Sequence, residues 1–513
     1  MWSIFALLGL VGLYALRRNF SCNDTSSSLP LPPGPKPRPI VGNVHDLPDP
    51  EAPDWVHWLK HKELYAFGQR LIILSDVNLA FDLLHKRAGI HSDRPDAPFA
   101  VLAGWGNASA IIRYGKRVLL GRKTMHREIG TKASVARFQA TQDIEVRRFL
   151  LRMLDAPNKL TKNARKLAGA VILNITYGYD IDQESNDPLV DIADTALNNF
   201  SIVARPGTWH IPAWFPGAGF QHAASIFRKQ TEALSDIPWA FVKKQMQKHP
   251  DTYDRSYVSN LLRDNPDVVA EPLEETIVRW TAASLYAGGA DTTVSTVTSF
   301  YLAVTLFPEV QKRAQDEIDA VIGRNRLSTI DDREQLPYID ALVKEALRWH
   351  PVLPMGLPHR SMKEDVCKGY RIPKDSLTLP TNECRAFTHD PTNYKNPSSF
   401  NPSRFLGPNP ERDSHLLVFG FGRRICPGRI LAGRAIFLTL AQSLAVFNIG
   451  GGGKDVKPSS SPGVISHPKP FEVNLSLRNP DYEDIIRPNK RAKEAGRVSI
   501  SSVDDPSVLD SVR

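Results

Sequence analysis

The chain has 513 residues, more than one small core requires, so length alone suggests two or three domains. Its 64 basic against 55 acidic side chains leave a net charge of +9, spread widely rather than run together. That spread suits an acidic partner surface or an anionic membrane and shows nothing resembling a nucleic-acid module. Four cysteines, Cys22, Cys367, Cys384 and Cys426, are too few and scattered for a disulfide framework, which implies a reducing compartment.

Met1 to Leu16 is almost wholly apolar and is followed at once by Arg17 and Arg18. At 1.5 Å per residue it spans roughly 24 Å, at the short end for a bilayer. A cleaved signal peptide is the alternative, but the positive charges follow the apolar run instead of preceding it. The positive-inside rule then predicts an uncleaved anchor over 1–18, with the body cytosolic. Two apparent glycosylation sequons begin at Asn19 and Asn23, and in that topology they face the cytosol. A linker over 19–43 carries the run Pro30-Leu-Pro-Pro-Gly-Pro-Lys-Pro-Arg-Pro39, too rich in proline for helix and stiff when extended.

Farther along, Leu71–Leu74 with Val77–Leu84 predicts a strand followed by a helix. Tyr114-Gly-Lys-Arg leads into a basic stretch through Arg122, Lys123, His126 and Arg127, which by itself is a solvated helix face. Ala164–Tyr177 and Ala224–Gln247 predict helices, and between them Pro206–Phe220, dense in Pro, Gly and aromatics, predicts a loop packed on apolar surface. Pro272–Leu306 predicts a buried central helix of roughly 50 Å, with Glu274 and Glu275 in its first turn and Pro308 closing it. Its middle reads Gly288-Gly289-Ala290-Asp291-Thr292-Thr293. Two glycines cost a helix about 1 kcal/mol each against alanine, so they need a reason. A bend from a Thr hydroxyl bonding back to the carbonyl four residues earlier is one account.

Glu345 and Arg348 stand three apart on one helix face, a spacing that commonly makes only a weak surface pair. Then comes Phe419-Gly-Phe-Gly-Arg-Arg-Ile-Cys-Pro-Gly428, a cysteine in a glycine-tightened loop just before an apolar helical stretch, Ile430–Val446. Backbone N–H groups and the helix dipole there favour negative charge on sulfur. Such a thiolate can ligate a soft or borderline metal, heme iron among them. A buried structural cysteine is the plainer reading of a lone Cys.

The pattern Phe-x-x-Gly-x-Arg-x-Cys-x-Gly resembles the heme-binding signature of the cytochrome P-450 family. The proline run, the Gly-Gly-x-Asp-Thr kink, Glu-x-x-Arg and Phe400-Asn-Pro-Ser-Arg404-Phe follow the family's order. The wording of Arg348-Trp-His-Pro-Val and Ile465-Ser-His-Pro-Lys-Pro-Phe looks like the fungal microsomal enzymes. The resemblance implies a mainly α fold with small β-sheets, the cytochrome P-450 fold, over 44–476, behind the membrane anchor. It implies heme b held by Cys426 within the Phe419, Gly420 and Gly428 loop. Arg424, Arg122 and His359 become candidates for the heme propionates, with Val118 where an aromatic is usual. Asp291 and Thr292 would deliver protons while dioxygen is reduced, and Glu345, Arg348 and Arg404 would hold the cysteine loop. Phe99, Gly288, Leu353, Met355, Leu357 and Val464 would line an apolar substrate pocket, with Pro206–Phe220 as its roof. Electrons would come from NADPH through a cytochrome P-450 reductase, docked near Lys123, Arg127 and Arg423 of a monomer on the endoplasmic reticulum membrane.

Several places depart from that pattern. The chain is several residues short between Glu63 and Gly68, as if a strand were missing, and short again around Ala204–Trp209. About two residues are extra after Thr381, Arg385 replaces a usual tryptophan, and Ser403 replaces the acid before Arg404. A peroxide-rearranging heme-thiolate isomerase or dehydratase, and a catalytically impaired heme-binding paralogue, are therefore alternatives to the monooxygenase. From 477 to 513 the polar composition cannot bury a core and predicts a disordered tail.

Overall fold

The structure is a computed structural model that describes residues 9, 12, 29–39, 41–47, 61–66, 68–204, 220–250, 253, 256–264, 271–379, 385–451, 459–461 and 463–487. Apart from residues 9 and 12, the expected anchor lies outside the described residues. So do the aromatic loop up to its last residue and the insertion after Thr381. Two units share the chain.

The first takes in the described parts of Met1–Pro95, Met355–Phe387 and Phe421–Arg424. Its sheet runs β1 (Glu63–Ala66), β2 (Gln69–Ile73), β6 (Leu377–Leu379) and β3 (His359–Arg360), while β4 (Asp365–Cys367) and β5 (Tyr370–Ile372) form a separate hairpin. β1 pairs antiparallel with β2, β2 runs parallel to β6, and β6 is antiparallel to β3. Alternate residues Leu64, Leu71, Ile73, Leu377 and Leu379 point to one face and bury together there. The strand expected to be missing near Glu63 is thus present. The shortening leaves a tight hairpin that keeps Leu64 opposite Leu71. Asp76 then caps a helix, its side chain accepting from Asn78 N–H, and that helix widens into a π-helical segment over Phe81–Lys86.

The second unit, Asp96–Pro354, Thr388–Gly420 and Ile425–Arg513, is helical. Its longer helices are α1 (Lys116–Ile129), α2 (Gln139–Asp155), α3 (Leu160–Tyr177), α4 (Pro188–Val203), α5 (Phe220–Lys248), α6 (Pro272–Leu306), α7 (Pro308–Val321), α8 (Pro337–Trp349) and α9 (Arg429–Val446). α6 has the bounds its sequence predicts: Pro272 opens it where a missing N–H costs nothing, and Pro308 opens the next helix instead of continuing it. Its apolar residues lie all around the axis, the mark of a core helix, and it packs on α1, α3, α4, α5 and α9. By length and composition α9 alone among the described helices could cross a membrane, but 78% of it is buried and it too is a core helix. β7 (Phe447–Gly451) pairs with β8 (Val473–Leu477) to close this unit.

The tail departs from expectation over its first ten residues. Tyr482–Ile486 is a helix, because Tyr482 and Ile486 stand four apart and both bury, against α2. Arg147 donates to the Ile485 carbonyl (2.7 Å), and Arg478 pairs with Asp319 (2.8 Å). Two apolar side chains at helical spacing were enough to extend the fold beyond residue 477.

Candidate active site

Cys426 lies three residues before Arg429, the first residue of α9. Its N–H donates to the Phe419 carbonyl (2.7 Å), which closes the loop. Gly420 has φ +75° and Gly422 φ +52°; a Cβ on Gly422 would sit 2.1 Å from the Leu84 carbonyl oxygen. No other residue fits there. The thiol is free and the residue keeps some surface. Dense packing around the sulfur pushes the Cys426 thiol up, outweighing the N–H groups of Gly428 and Arg429 and the charges of Arg122 and Arg429. The donors expected at the helix start are therefore in place, yet burial keeps the unligated sulfur protonated.

Arg122 reaches from α1 and donates to the Ile425 carbonyl, with burial holding its guanidinium below its ordinary range. Val118, one turn earlier, is buried at the position where an aromatic was expected. Within the first unit, Arg424 Nε donates to the Ser92 carbonyl (2.8 Å). His359 is buried, and its Nδ1–H donates to the His91 carbonyl (2.7 Å). Burial, then the charge of Arg94, hold its pKa well below the ordinary histidine value. A neutral ring that donates through Nδ1 leaves Nε2 as an acceptor, so His359 can grip an anion only after gaining a second proton.

The two glycines of α6 have different reasons. A Cβ on Gly289 would lie 2.6 Å from Ile172 Cγ1 of α3, so Gly289 exists for helix–helix contact. Gly288 has nothing within 4 Å and is exposed, while Ala287, Ala290 and Asp291 beside it are buried. The helix thus presents an open notch at Gly288 and the half-buried Thr292. Gly289→Ala is expected to cost about 1–3 kcal/mol by overpacking, whereas Gly288→Ala leaves the denaturant midpoint unchanged or slightly raised. Guanidinium unfolding of both variants checks this. Thr292 Oγ1 donates to the Gly288 carbonyl (2.6 Å), the back-bond considered from sequence. Asp291 Oδ2 accepts from His467 Nε2 (3.0 Å).

Glu345, Arg348 and Arg404 come together in full. Arg348 donates to both carboxylate oxygens of Glu345 (2.7 and 2.9 Å), and Arg404 Nε adds a third bond (3.2 Å). Arg404 finds its second acid in Glu411 (2.6 Å), seven residues downstream, which compensates for Ser403 and was not foreseen. Of the pocket candidates, Phe99 is buried and stacks on Phe227 (6.3 Å between ring centres), and Val464 is buried. Leu353 is half-buried, and Leu357, also half-buried, lends its carbonyl to Arg94 (2.8 Å). Met355 is partly buried and packs on the Leu64–Leu71–Ile73 strand cluster.

A family model for cytochrome P450 matches residues 32–475. Among curated proteins, cytochrome P450 monooxygenase ppsD of Aspergillus oryzae is 45% identical over 89% of this chain and 90% of its own. Cytochrome P450 monooxygenase claR of Ampulloclitocybe clavipes is 43% identical over 94% and 90%. O-methylsterigmatocystin oxidoreductase of Aspergillus flavus is 38% identical over 95% of each.

Proposed function

The chain belongs to the cytochrome P450 family, and we propose that, as a heme-thiolate monooxygenase, it oxidises an apolar small molecule of fungal secondary metabolism. The observation that carries this reading is the free Cys426 thiol in its glycine-turned loop just before α9. A heme fits the residues present: a free cysteine sulfur, Arg122 beside it, and an open notch on α6 where a side chain is missing. Bound there, heme ligated by thiolate supplies dioxygen binding and O–O cleavage.

The chain's own residues do the rest. Cys426 gives up its proton to become the ligand. Arg122 and Arg424 neutralise the propionates, and His359 assists if it is protonated. Asp291 supplies protons, and Thr292, whose hydroxyl hydrogen is committed to Gly288, accepts a hydrogen bond from the water that carries them. Phe99, Leu353, Leu357 and Val464 select an apolar substrate. Lys123 and Arg127 are exposed on α1 and suit the acidic face of a reductase that passes electrons from NADPH, although Arg127 also pairs with Asp264 (3.3 Å). A membrane anchor over 1–18 would hold enzyme and reductase on one surface.

Reconstitution with a reductase, NADPH and a library of apolar metabolites tests the reading. Oxygenated product that requires both dioxygen and reductase supports it, and rearrangement of an organic peroxide with no oxygenated product when dioxygen and reductase are supplied overturns it. Thr292→Ala is expected to lower product formed per NADPH about tenfold, the worth of one well-placed hydrogen bond, with the missing electrons appearing as hydrogen peroxide.

A further inference from the structure

Arg313 stands exposed on α7 and makes no ion pair among the described residues. The acids three and four residues on are engaged. Asp316 pairs with Lys312 (3.1 Å), and Glu317 accepts from the N–H groups of Tyr338 and Ile339 at the start of α8 (2.9 and 3.0 Å). The guanidinium is nevertheless held in place. It lies over the Tyr338 ring, 4.4 Å from its centre, and its Nη1 donates to Ser403 Oγ (2.7 Å). A stacked guanidinium keeps its in-plane N–H donors for an oxyanion, and a neutral hydroxyl occupies one of them.

Ser403 is half-buried in the short turn Pro402–Phe405, with Asn401 and residues 407–410 exposed around it. Its backbone is fixed, the N–H donating to Asn401 Oδ1 (3.1 Å) and the carbonyl accepting from Leu406 N–H (3.1 Å). The hydroxyls of Ser185, Ser225 and Thr276 are spent as donors, to Asp182, the His222 carbonyl and the Pro272 carbonyl. The Ser403 hydroxyl instead receives the N–H of a cation and gives its own hydrogen to no protein atom among the described residues. Arg404 beside it is committed to Glu345 and Glu411, so new negative charge at Ser403 would meet Arg313.

We propose that Ser403 is a phosphorylation site and that Arg313, stacked on Tyr338, receives the phosphate. A protein kinase, with ATP as donor, carries out the step. Ser403 Oγ forms a bond to the γ-phosphorus, the bond from that phosphorus to the oxygen of ADP breaks, and the hydroxyl proton leaves to the base of the kinase. The product carries nearly two negative charges and three acceptor oxygens where a neutral hydroxyl stood. Arg313 can then make two parallel bonds in place of one. Phosphorylation thereby ties α7 to the segment that carries Arg404, whatever the substrate oxidised.

The test uses the full chain produced in a filamentous fungus. Mass analysis of the peptide containing residue 403 should find one added phosphoryl group, on Ser403. Ser403→Glu and Ser403→Ala, each made with Arg313 and with Arg313→Gln, give a second reading. With Arg313 present and at low salt, Ser403→Glu should melt about 1–4 °C above Ser403→Ala, and with Arg313→Gln the two should melt together. Added salt should shrink the difference, because the pair is at the surface. A fungal protein in which Ser403 is unmodified overturns the proposal. So does a Ser403→Glu midpoint no higher than that of Ser403→Ala, or one raised equally in Arg313→Gln, since the added charge would then be acting elsewhere.

Discussion

Cys426→Ala is expected to eliminate turnover and to remove the long-wavelength Soret band that thiolate-ligated ferrous heme gives with carbon monoxide. The loop around residue 426 is held by its backbone, through the Phe419 carbonyl and the positive φ angles of Gly420 and Gly422, not by the sulfur. The variant should therefore fold, and its heme should bind weakly or through a neutral ligand. Cys367→Ala is the control: it truncates the other free cysteine among the described residues and should leave the spectrum unchanged. The raised thiol adds a pH dependence with a definite sign. A thiol protonated in the unligated protein must release that proton on ligation, so heme affinity should rise with pH by up to about tenfold per unit while the thiol stays protonated. Titrating apoprotein with heme at several pH values measures it. Affinity that falls as pH rises, or a normal carbon monoxide spectrum in Cys426→Ala, would sink the assignment.

How much of this was legible beforehand depends on whether the determining residues lie near one another in the chain. α6 could be bounded to the residue because its start and stop are prolines, whose geometry is local. α3 begins four residues before the predicted Ala164, since Leu160 and Asn163 are buried by tertiary packing that no local signal encodes. The cysteine loop was legible because glycine spacing is a backbone requirement. The Glu345–Arg348 pair was visible as a spacing, but its burial, which turns an ordinary pair into a structural one, was not. Glu411 was missed because its partner Arg404 is reached by a returning loop. His467 lies 176 residues from Asp291, and only the fold brings the two together. Met355, placed in the pocket by family register, packs on the strand cluster, a contact that no local signal announces.

Glu345→Ala is expected to be among the most damaging single changes outside the cysteine itself. Glu345 and Arg348 are both fully buried, so their charges are tolerable only as a satisfied pair. Glu345 accepts from Arg348, from Arg404 and from Asn401 N–H (2.7 Å). Arg348 spends its remaining donors on the carbonyls of Thr388, Pro397 and Ser399, at 2.8 to 3.0 Å. Arg404 donates to the Lys395 carbonyl and to the Glu411 carboxylate. The segment from Thr388 to Glu411, which leads directly into the helix before Phe419, is thus fastened to α8 by Arg348 directly and by the Glu345 carboxylate. Removing it strands a buried guanidinium, a loss of about 3–5 kcal/mol and a large part of the stability of an ordinary domain. Glu345 keeps both bonds from Arg348 when Arg404 is truncated, so Arg404→Ala should cost less than Arg348→Ala, and Arg348→Lys should not restore stability because an ammonium cannot bind both oxygens of Glu345 while reaching three carbonyls. Guanidinium midpoints and the yield of heme-loaded protein report these differences. A Glu345→Ala protein with wild-type midpoint and full heme loading would show that the cysteine loop is held by something other than this cluster.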